Sequence, residues 1–297
     1  MREPPQPWIR NPLPPARRDS EARSILVADG KLDFKQLEKD RGYLVHVATT
    51  YKHMIPFMKG IHLTIDSWRP NRFANGWKMS HKEWSLFLSS IKDEDERDRI
   101  LSLHSHGHPD KVAAANRLKD DLTALRKLFD FDSPVKVSVR FRHCIQAILG
   151  IGDAAKTGFG DSFLSVEGIN YTFGVWNTQT SQESSNYREF RNFLDSVRKQ
   201  GEAGRLTNSM LVFATDNSTV EQAVYKGSSD SPLLLDMVIE YFELQVIFNF
   251  TILITHIAGK RMIACGSDGL SRGATNEGIM NGEDFLSFLP LHLSAID

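Results

Sequence analysis

The chain has 297 residues, 41% of them hydrophobic, which is enough for one sizeable domain with smaller attachments. Its 36 basic residues nearly balance 37 acidic ones, so no overall positive charge marks it as an avid nucleic-acid binder. Two cysteines, an N-terminus without an apolar signal segment and no apolar run of membrane-spanning length favour an intracellular protein, cytoplasmic or nuclear, that is neither secreted nor membrane-bound.

The first part of the chain predicts a tail followed by a helical segment. Residues 1–25 are rich in proline and arginine, a composition typical of a disordered tail. Over 26–133, apolar residues recur at helical spacing in three stretches, at 34–68, 81–101 and 116–129. We therefore expect a mostly helical module ahead of the rest of the chain, with one helix over 81–101 and another over 116–129.

A change of pattern predicts an α/β domain over 134–275. Residues 135–140 alternate apolar and polar side chains, as a half-buried strand does. Three antiparallel strands, a helix, a strand, two helices, a strand and a helix follow, and this order predicts a mixed five-stranded sheet flanked by helices. The five strands of that sheet are expected at 143–151, 158–164, 171–176, 210–214 and 250–257. Residues 276–297 are expected to form a packed C-terminal tail or a link to a further domain.

Four acidic residues follow these elements in a distinctive order. Asp153 and Asp216 come directly after apolar strands. Glu189 lies in the first turn of a helix, and Asp268 lies at the start of another. Side chains at strand ends meet at one edge of an open sheet, and carboxylates are ligands that Mg²⁺ prefers. Because two such ions are a common means of hydrolysing phosphodiesters, the order predicts a two-metal site.

Each acid also has an ordinary structural explanation. Asp153 follows a glycine and fits a turn, and Glu189 fits a capping box at the start of its helix. Asp216 fits the N-cap of the next helix, and Asp268 fits a favourable interaction with a helix macrodipole. Each explanation is reasonable for one acid alone, whereas the four contexts in this order favour the metal site.

Four motifs in the sequence resemble those of retroelement ribonuclease H domains. The first motif contains Asp153, and the second places Glu189 directly after an arginine. The third contains Asp216 with a trailing asparagine, and the fourth ends in Asp-x-Leu-Ser-Arg. The resemblance covers roughly residues 143–273. The motifs are Gly152–Gly160, Ser184–Phe190, Ala214–Val220, and His256–Gly259 followed by Ser267–Arg272.

The resemblance implies cleavage of the RNA strand of an RNA–DNA hybrid with two Mg²⁺ or Mn²⁺ ions. Asn217 would contact the sugar hydroxyls that distinguish RNA from DNA, and Lys156 and Thr157 would contact phosphates. The hybrid is therefore the implied nucleic-acid partner. The implied catalytic residues and metal ligands are Asp153, Glu189, Asp216 and Asp268.

The upstream helices resemble the thumb and connection segments that follow the palm of a reverse transcriptase. No Tyr-x-Asp-Asp polymerase motif occurs in the sequence, so the chain is not expected to polymerise DNA. The resemblance implies that a reverse-transcriptase palm and fingers region, missing from this chain, is the partner that holds the hybrid nearby.

Two departures from the family pattern leave alternatives open. Residues 260–267 contain no histidine of the kind that assists product release in cellular ribonucleases H, and His256 is expected inside a strand. No basic helix follows Gly227. One alternative is an integrase- or resolvase-like nuclease that acts on DNA, although Glu189 argues against it. The other is a catalytically silent retroelement remnant that binds nucleic acid or a protein.

Overall fold

The computed structural model describes residues 31–73, 75–102, 107–130 and 146–289. Three predictions lie outside these residues and stay predictions. They are the disordered tail at 1–25, the strand at 135–140 and the start of the α/β domain at 134. No helix within the described ranges is long and apolar enough to cross a membrane.

The described residues fall into two compact units. The first unit comprises the described chain up to Tyr43 together with Gly60–Lys119. The second unit comprises Leu44–Lys59 and the described chain from Asp120 onward. The elements up to the end of the first unit are β1 (Lys31–Asp33), α1 (Phe34–Thr50), α2 (Lys59–Asp66), α3 (His81–Ser90), α4 (Glu94–Ser102) and β2 (Lys111–Ala113). In the first unit, β1 and β2 pair antiparallel and bury Leu32 against its partner strand.

The single helix expected over 81–101 is wrong, because α3 and α4 are separate helices. Ile91 leaves α3 in an extended conformation. The Asp93 carboxylate then accepts a hydrogen bond from the Asp95 N–H at 3.0 Å, which satisfies a free amide at the start of α4. Apolar spacing alone does not reveal this break, since the charged residues occupy a solvent-facing surface in either case.

The second unit contains the sheet. It also contains a 3-10 helix at Lys52–Met58 and most of α5 (Leu118–Leu128). From Ala147 the elements are β3 (Ala147–Ala154), β4 (Gly158–Ser165), β5 (Gly168–Val175), α6 (Thr178–Gln182), α7 (Ser185–Glu202), β6 (Met210–Thr215), α8 (Ser218–Lys226), α9 (Pro232–Phe248), β7 (Thr251–His256), α10 (Gly259–Ala264) and α11 (Ser267–Leu270), then 3-10 helices at Gly278–Asn281 and Phe285–Phe288. The sequence patterns predict neither of the short helices α6 and α10.

The sheet has the strand order β5-β4-β3-β6-β7. Strands β3, β4 and β5 form an antiparallel meander, whereas β6 and β7 run parallel to β3. The predicted mixed five-stranded sheet flanked by helices is therefore confirmed. Because Ile151 lies opposite Ala214 in the β3–β6 pair, the C-terminal ends of both strands bring Asp153 and Asp216 to one edge of the sheet.

Two apolar layers cover the faces of this sheet. On one face, α7, α8 and α9 enclose Phe193, Phe213 and Tyr241, with the Phe193 ring centroid 4.9 Å from that of Phe213. Truncation of a buried aromatic side chain of this kind typically costs about 3–5 kcal/mol. On the other face, Ile151 packs in a cluster that includes Phe285 from a C-terminal 3-10 helix. The described part of the expected tail thus contributes to the core.

Close packing of β4 against α11 depends on Gly160. A Cβ atom at this position would lie 2.7 Å from the backbone N of Ser271 and 2.8 Å from the backbone C of Leu270. We expect Gly160→Ala to lower the free energy of unfolding by about 1–3 kcal/mol, because backbone atoms cannot move aside as a flexible side chain can. Urea denaturation measures this change.

Gly42→Ala is the control for that experiment. No atom lies within 4 Å of the position that a Cβ would take at Gly42, which is exposed inside α1. This change should raise the free energy of unfolding by about 0.5–1 kcal/mol through helix propensity. A Gly160→Ala variant as stable as the parent would contradict the close packing.

Candidate metal centre

Three of the four predicted acids converge at the edge of the sheet. Asp153, Glu189 and Asp216 each offer a carboxylate oxygen, and these oxygens all lie within 4.8 Å of one another. Asp153 is the penultimate residue of β3, and Asp216 directly follows β6. Glu189 approaches from α7, so three separate elements build the cluster.

The start of α7 shows that Glu189 has no capping role. Ser184 is the N-cap, and its hydroxyl accepts a hydrogen bond from the Tyr187 N–H at 3.2 Å. The third helical position is therefore Tyr187, and Glu189 is the fifth residue of the helix. The capping-box explanation for Glu189 is wrong, and this buried carboxylate faces the other two acids.

The start of α8 likewise leaves the Asp216 side chain out of the cap. Asn217 is the N-cap, and its Oδ1 accepts hydrogen bonds from the N–H groups of Thr219 and Val220 at 3.0 and 3.1 Å. Because Asn217 takes the capping position, the Asp216 carboxylate is available to join the cluster.

Asp268 does not join the group of three. Its carboxylate pairs with Arg272, with the Nη2–Oδ1 distance at 2.6 Å and the Nε–Oδ2 distance at 3.3 Å. Helix α11, which carries Asp268, is nevertheless attached to the cluster. Ser271 Oγ lies 2.7 Å from Asp153 Oδ2 and 2.8 Å from the carbonyl oxygen of Asp268, so one hydroxyl joins α11 to β3.

The electrostatics of the cluster favour a cation. Burial, followed by the charges of Asp153 and Asp216, raises the pKa of Glu189 to about 9. Burial also raises the pKa of Asp153 to about 6, with repulsion from Asp216 and Asp268 acting in the same direction. Burial raises the pKa of Asp216 as well. Crowded, buried carboxylates are costly when ionised, and an all-oxygen donor set fits a hard divalent cation such as Mg²⁺ or Mn²⁺.

The three predicted substrate-binding residues lie near the acids along the chain. The Asn217 side chain caps α8, and its Nδ2 also donates a hydrogen bond to Asn186 Oδ1 at 3.0 Å. Lys156 and Thr157 are exposed in the turn between β3 and β4, a few residues beyond Asp153. Their contacts with a substrate stay a prediction.

His256 lies in a strand, as the sequence predicts. It is the last residue of β7, and its Nε2 lies 2.9 Å from the carbonyl oxygen of Asp216. Its backbone N–H donates to Glu221 Oε1 at 2.9 Å, which fixes the end of the strand. Pairing of β7 with β6 places His256 opposite Thr215, beside the second acid of the cluster.

This strand order and helix arrangement define a ribonuclease H-like fold. Ribonuclease H1 from Halobacterium salinarum is 16% identical to this chain with a TM-score of 0.35, covering 43% of this chain and 96% of that one. LC11 ribonuclease H1 in complex with an RNA/DNA hybrid is 12% identical with a TM-score of 0.36, covering 43% and 95%.

The foamy viral protease-reverse transcriptase in complex with an RNA/DNA hybrid is also similar. It is 14% identical with a TM-score of 0.32, and the similarity covers 59% of this chain and 28% of that one. No sequence family matches the chain, and no curated protein matches it. The sheet topology itself therefore carries the assignment of the fold.

Proposed function

We propose that this chain cleaves the RNA strand of RNA–DNA hybrids by metal-dependent hydrolysis, as the ribonuclease H part of a retroelement. The observation that carries the proposal is the convergence of Asp153, Glu189 and Asp216 within 4.8 Å at the edge of a ribonuclease H-like sheet. The four sequence motifs that surround the acids in chain order support the retroelement assignment.

In this proposal the acids hold two Mg²⁺ or Mn²⁺ ions. Asp153, Glu189 and Asp216 would be direct ligands, and Asp268 would be the fourth. When bound, such ions activate a water and neutralise charge on the scissile phosphate. Ser271 holds the Asp153 carboxylate in place through its 2.7 Å hydrogen bond.

The surrounding residues are proposed to bind the hybrid. Asn217, held rigidly by its capping bonds, is beside the second acid and would read a sugar hydroxyl, the group that RNA has and DNA lacks. Lys156 and Thr157 would contact phosphates from the exposed β3–β4 turn. Cleavage would leave 3′-hydroxyl and 5′-phosphate ends, as the family resemblance implies.

The helical segment over 26–133 is proposed to be a thumb and connection remnant. One observation supports a structural link to the nuclease part: in the second unit, Met54 and Phe57 form a buried cluster with Leu125, against which Ile239 of α9 packs. A reverse-transcriptase palm and fingers region is the proposed partner. It would raise the local concentration of hybrid for a chain without net positive charge.

Cleavage of a labelled RNA–DNA hybrid in Mg²⁺ or Mn²⁺ tests the function. We expect the RNA strand alone to be cut, and Asp216→Asn to reduce the rate by about 10²-fold or more because a metal ligand is lost. Duplex DNA of the same sequence is the control substrate. Cleavage of that DNA would favour the integrase-like alternative, and no cleavage by a folded chain with either ion would favour the silent remnant.

A further inference from the structure

Helix α7 carries a buried polar stripe that continues from the metal centre into the protein. Glu189, Asn192 and Ser196 are spaced at i, i+3 and i+7, so they lie on one face of the helix. Asn192 is 1% exposed and Ser196 is 3% exposed. A buried polar side chain without hydrogen bonds is costly, so the partners of these two residues are informative.

The stripe attaches α7 to the two strands beneath the centre. Asn192 Nδ2 donates to the backbone carbonyl of Asp153 at 3.2 Å and to that of Gly160 at 3.3 Å. Ser196 Oγ donates to Asp161 Oδ2 at 2.8 Å. The helix that carries Glu189 is therefore fixed to the backbone of Asp153.

Two buried acceptors in this stripe have no donor. Asp161 is 1% exposed, and neither its Oδ1 nor Asn192 Oδ1 has a hydrogen-bond partner among the described residues. Both side chains border Gly152: a Cβ there would lie 3.1 Å from Asn192 Nδ2 and 3.5 Å from Asp161 Cβ. A neutral carboxylic acid lowers the cost of leaving an Asp161 oxygen unpaired, because a buried neutral group is less costly than a buried charge.

The surroundings of Asp161 favour the neutral acid. Burial raises the pKa of Asp161 to about 7, and the Ser196 hydroxyl, Lys199 and Thr172 oppose this only in part. Lys199 is the charged group that faces it, and its Nζ already donates to Thr172 Oγ1 at 2.9 Å. The Asp161 carboxyl therefore lacks a direct ionic partner among the described residues.

We infer that Asp161 is a positioning residue of the metal centre. As a neutral acid it accepts the hydrogen bond of the Ser196 hydroxyl on Oδ2 and so holds β4 against α7. This helix carries Glu189, and its Asn192 holds the Asp153 backbone. Asp161 acts on the metal centre through Ser196 and α7. The inference rests on the proposed function, because the site that Asp161 positions is the metal centre of that proposal.

Mn²⁺ titration calorimetry of the whole chain tests the positioning role. Asp161→Asn keeps an acceptor for Ser196, so its Mn²⁺ affinity should match the parent at pH 6 and be at least as high at pH 8. Asp161→Leu removes this acceptor and should weaken Mn²⁺ binding by about 10–100-fold. If Asp161→Leu fails to fold, Ser196→Ala should weaken Mn²⁺ binding in the same direction.

The pH dependence of stability, measured without divalent ions, tests the protonation of Asp161 independently of metal binding. Because the folded-state pKa of Asp161 is raised, the stability it contributes is present near pH 4 and is lost as the pH rises toward about 7. Relative to Asp161→Asn, the parent should therefore lose stability over that interval. Lys199→Met should have little effect at pH 5, where Asp161 is neutral, whereas an Asp161 that is ionised there and depends on Lys199 would make this variant less stable.

The outcomes separate the inference from the proposed function. A parent chain that binds no Mn²⁺ overturns the metal centre, and the pH dependence then still decides whether Asp161 is a neutral acid. A parent that binds Mn²⁺ while Asp161→Leu binds it equally well overturns the positioning role alone. An Asp161→Asn variant as weak as Asp161→Leu also overturns it, because an ionised carboxylate would then be required.

Discussion

Glu189→Gln is expected to reduce RNA-strand cleavage by at least about 10³-fold, since metal-ion stabilisation of several kcal/mol depends on the ligand set. Mn²⁺ affinity should fall with it. The chain should remain folded, because a glutamine has the same shape and Glu189 caps no helix. In the absence of divalent ions the variant should be more stable than the parent at neutral pH, since the change removes a crowded carboxyl whose pKa is raised to about 9.

Glu202→Gln is the matched control for this experiment. It makes the same chemical change in the same helix, α7, at an exposed position far along the helix from Glu189. It should leave cleavage, Mn²⁺ affinity and stability close to those of the parent. A Glu189→Gln chain that cleaves hybrid at a rate within a few-fold of the Glu202→Gln chain would overturn the assignment of Glu189 as a ligand.

Stability of the parent is expected to fall as pH rises without divalent ions and to recover when Mn²⁺ is added. The pKa of Asp153 is raised to about 6 and that of Glu189 to about 9, so both groups hold protons more tightly in the folded than in the unfolded chain. Their favourable contribution is present below about pH 4 and is lost as pH rises through these two values. The expected loss amounts to several kcal/mol between pH 5 and pH 9, because one pKa unit corresponds to about 1.4 kcal/mol.

Urea denaturation at pH 5, 7 and 9, in chelator and in Mn²⁺, measures this dependence. An ion that binds only the folded chain adds about 2.7 kcal/mol when its concentration is 100 times the dissociation constant. The gain from Mn²⁺ should be largest at pH 9, where protons compete least with the ion for Glu189 among the three pH values. Stability that rises with pH in chelator would contradict the crowded-acid description, and Glu189→Gln should show a shallower fall than the parent.

Much of the fold follows from local patterns, and the acids illustrate where those patterns suffice. Apolar runs that end at Asp153 and Asp216 predict two strand ends, and the parallel pairing of β3 and β6 brings those ends together. Capping rules alone could not decide the role of Glu189. The role of Glu189 depends on which serine is the N-cap of the helix. Helix boundaries predicted from sequence patterns vary by a residue or two.

The remaining parts of the site depend on tertiary packing. Asp161 is on a strand where alternation would allow it to face solvent, and only the position of α7 over β4 buries it. The Asp268 carboxylate is at the start of a helix as expected, but its pairing with Arg272 is a choice between side-chain conformations at a partly exposed surface. His256 needed the register of β7 against β6 before its proximity to Asp216 was apparent.

The bond between Ser271 and Asp153 has a consequence for when the acidic cluster is completed during synthesis. The two residues are 118 positions apart, and Ser271 comes near the end of the described chain. A protein leaves the ribosome from its N-terminus, so the strand with the first acid emerges long before the helix turn that secures it. A growing chain therefore carries no completed centre until almost the entire unit has been made.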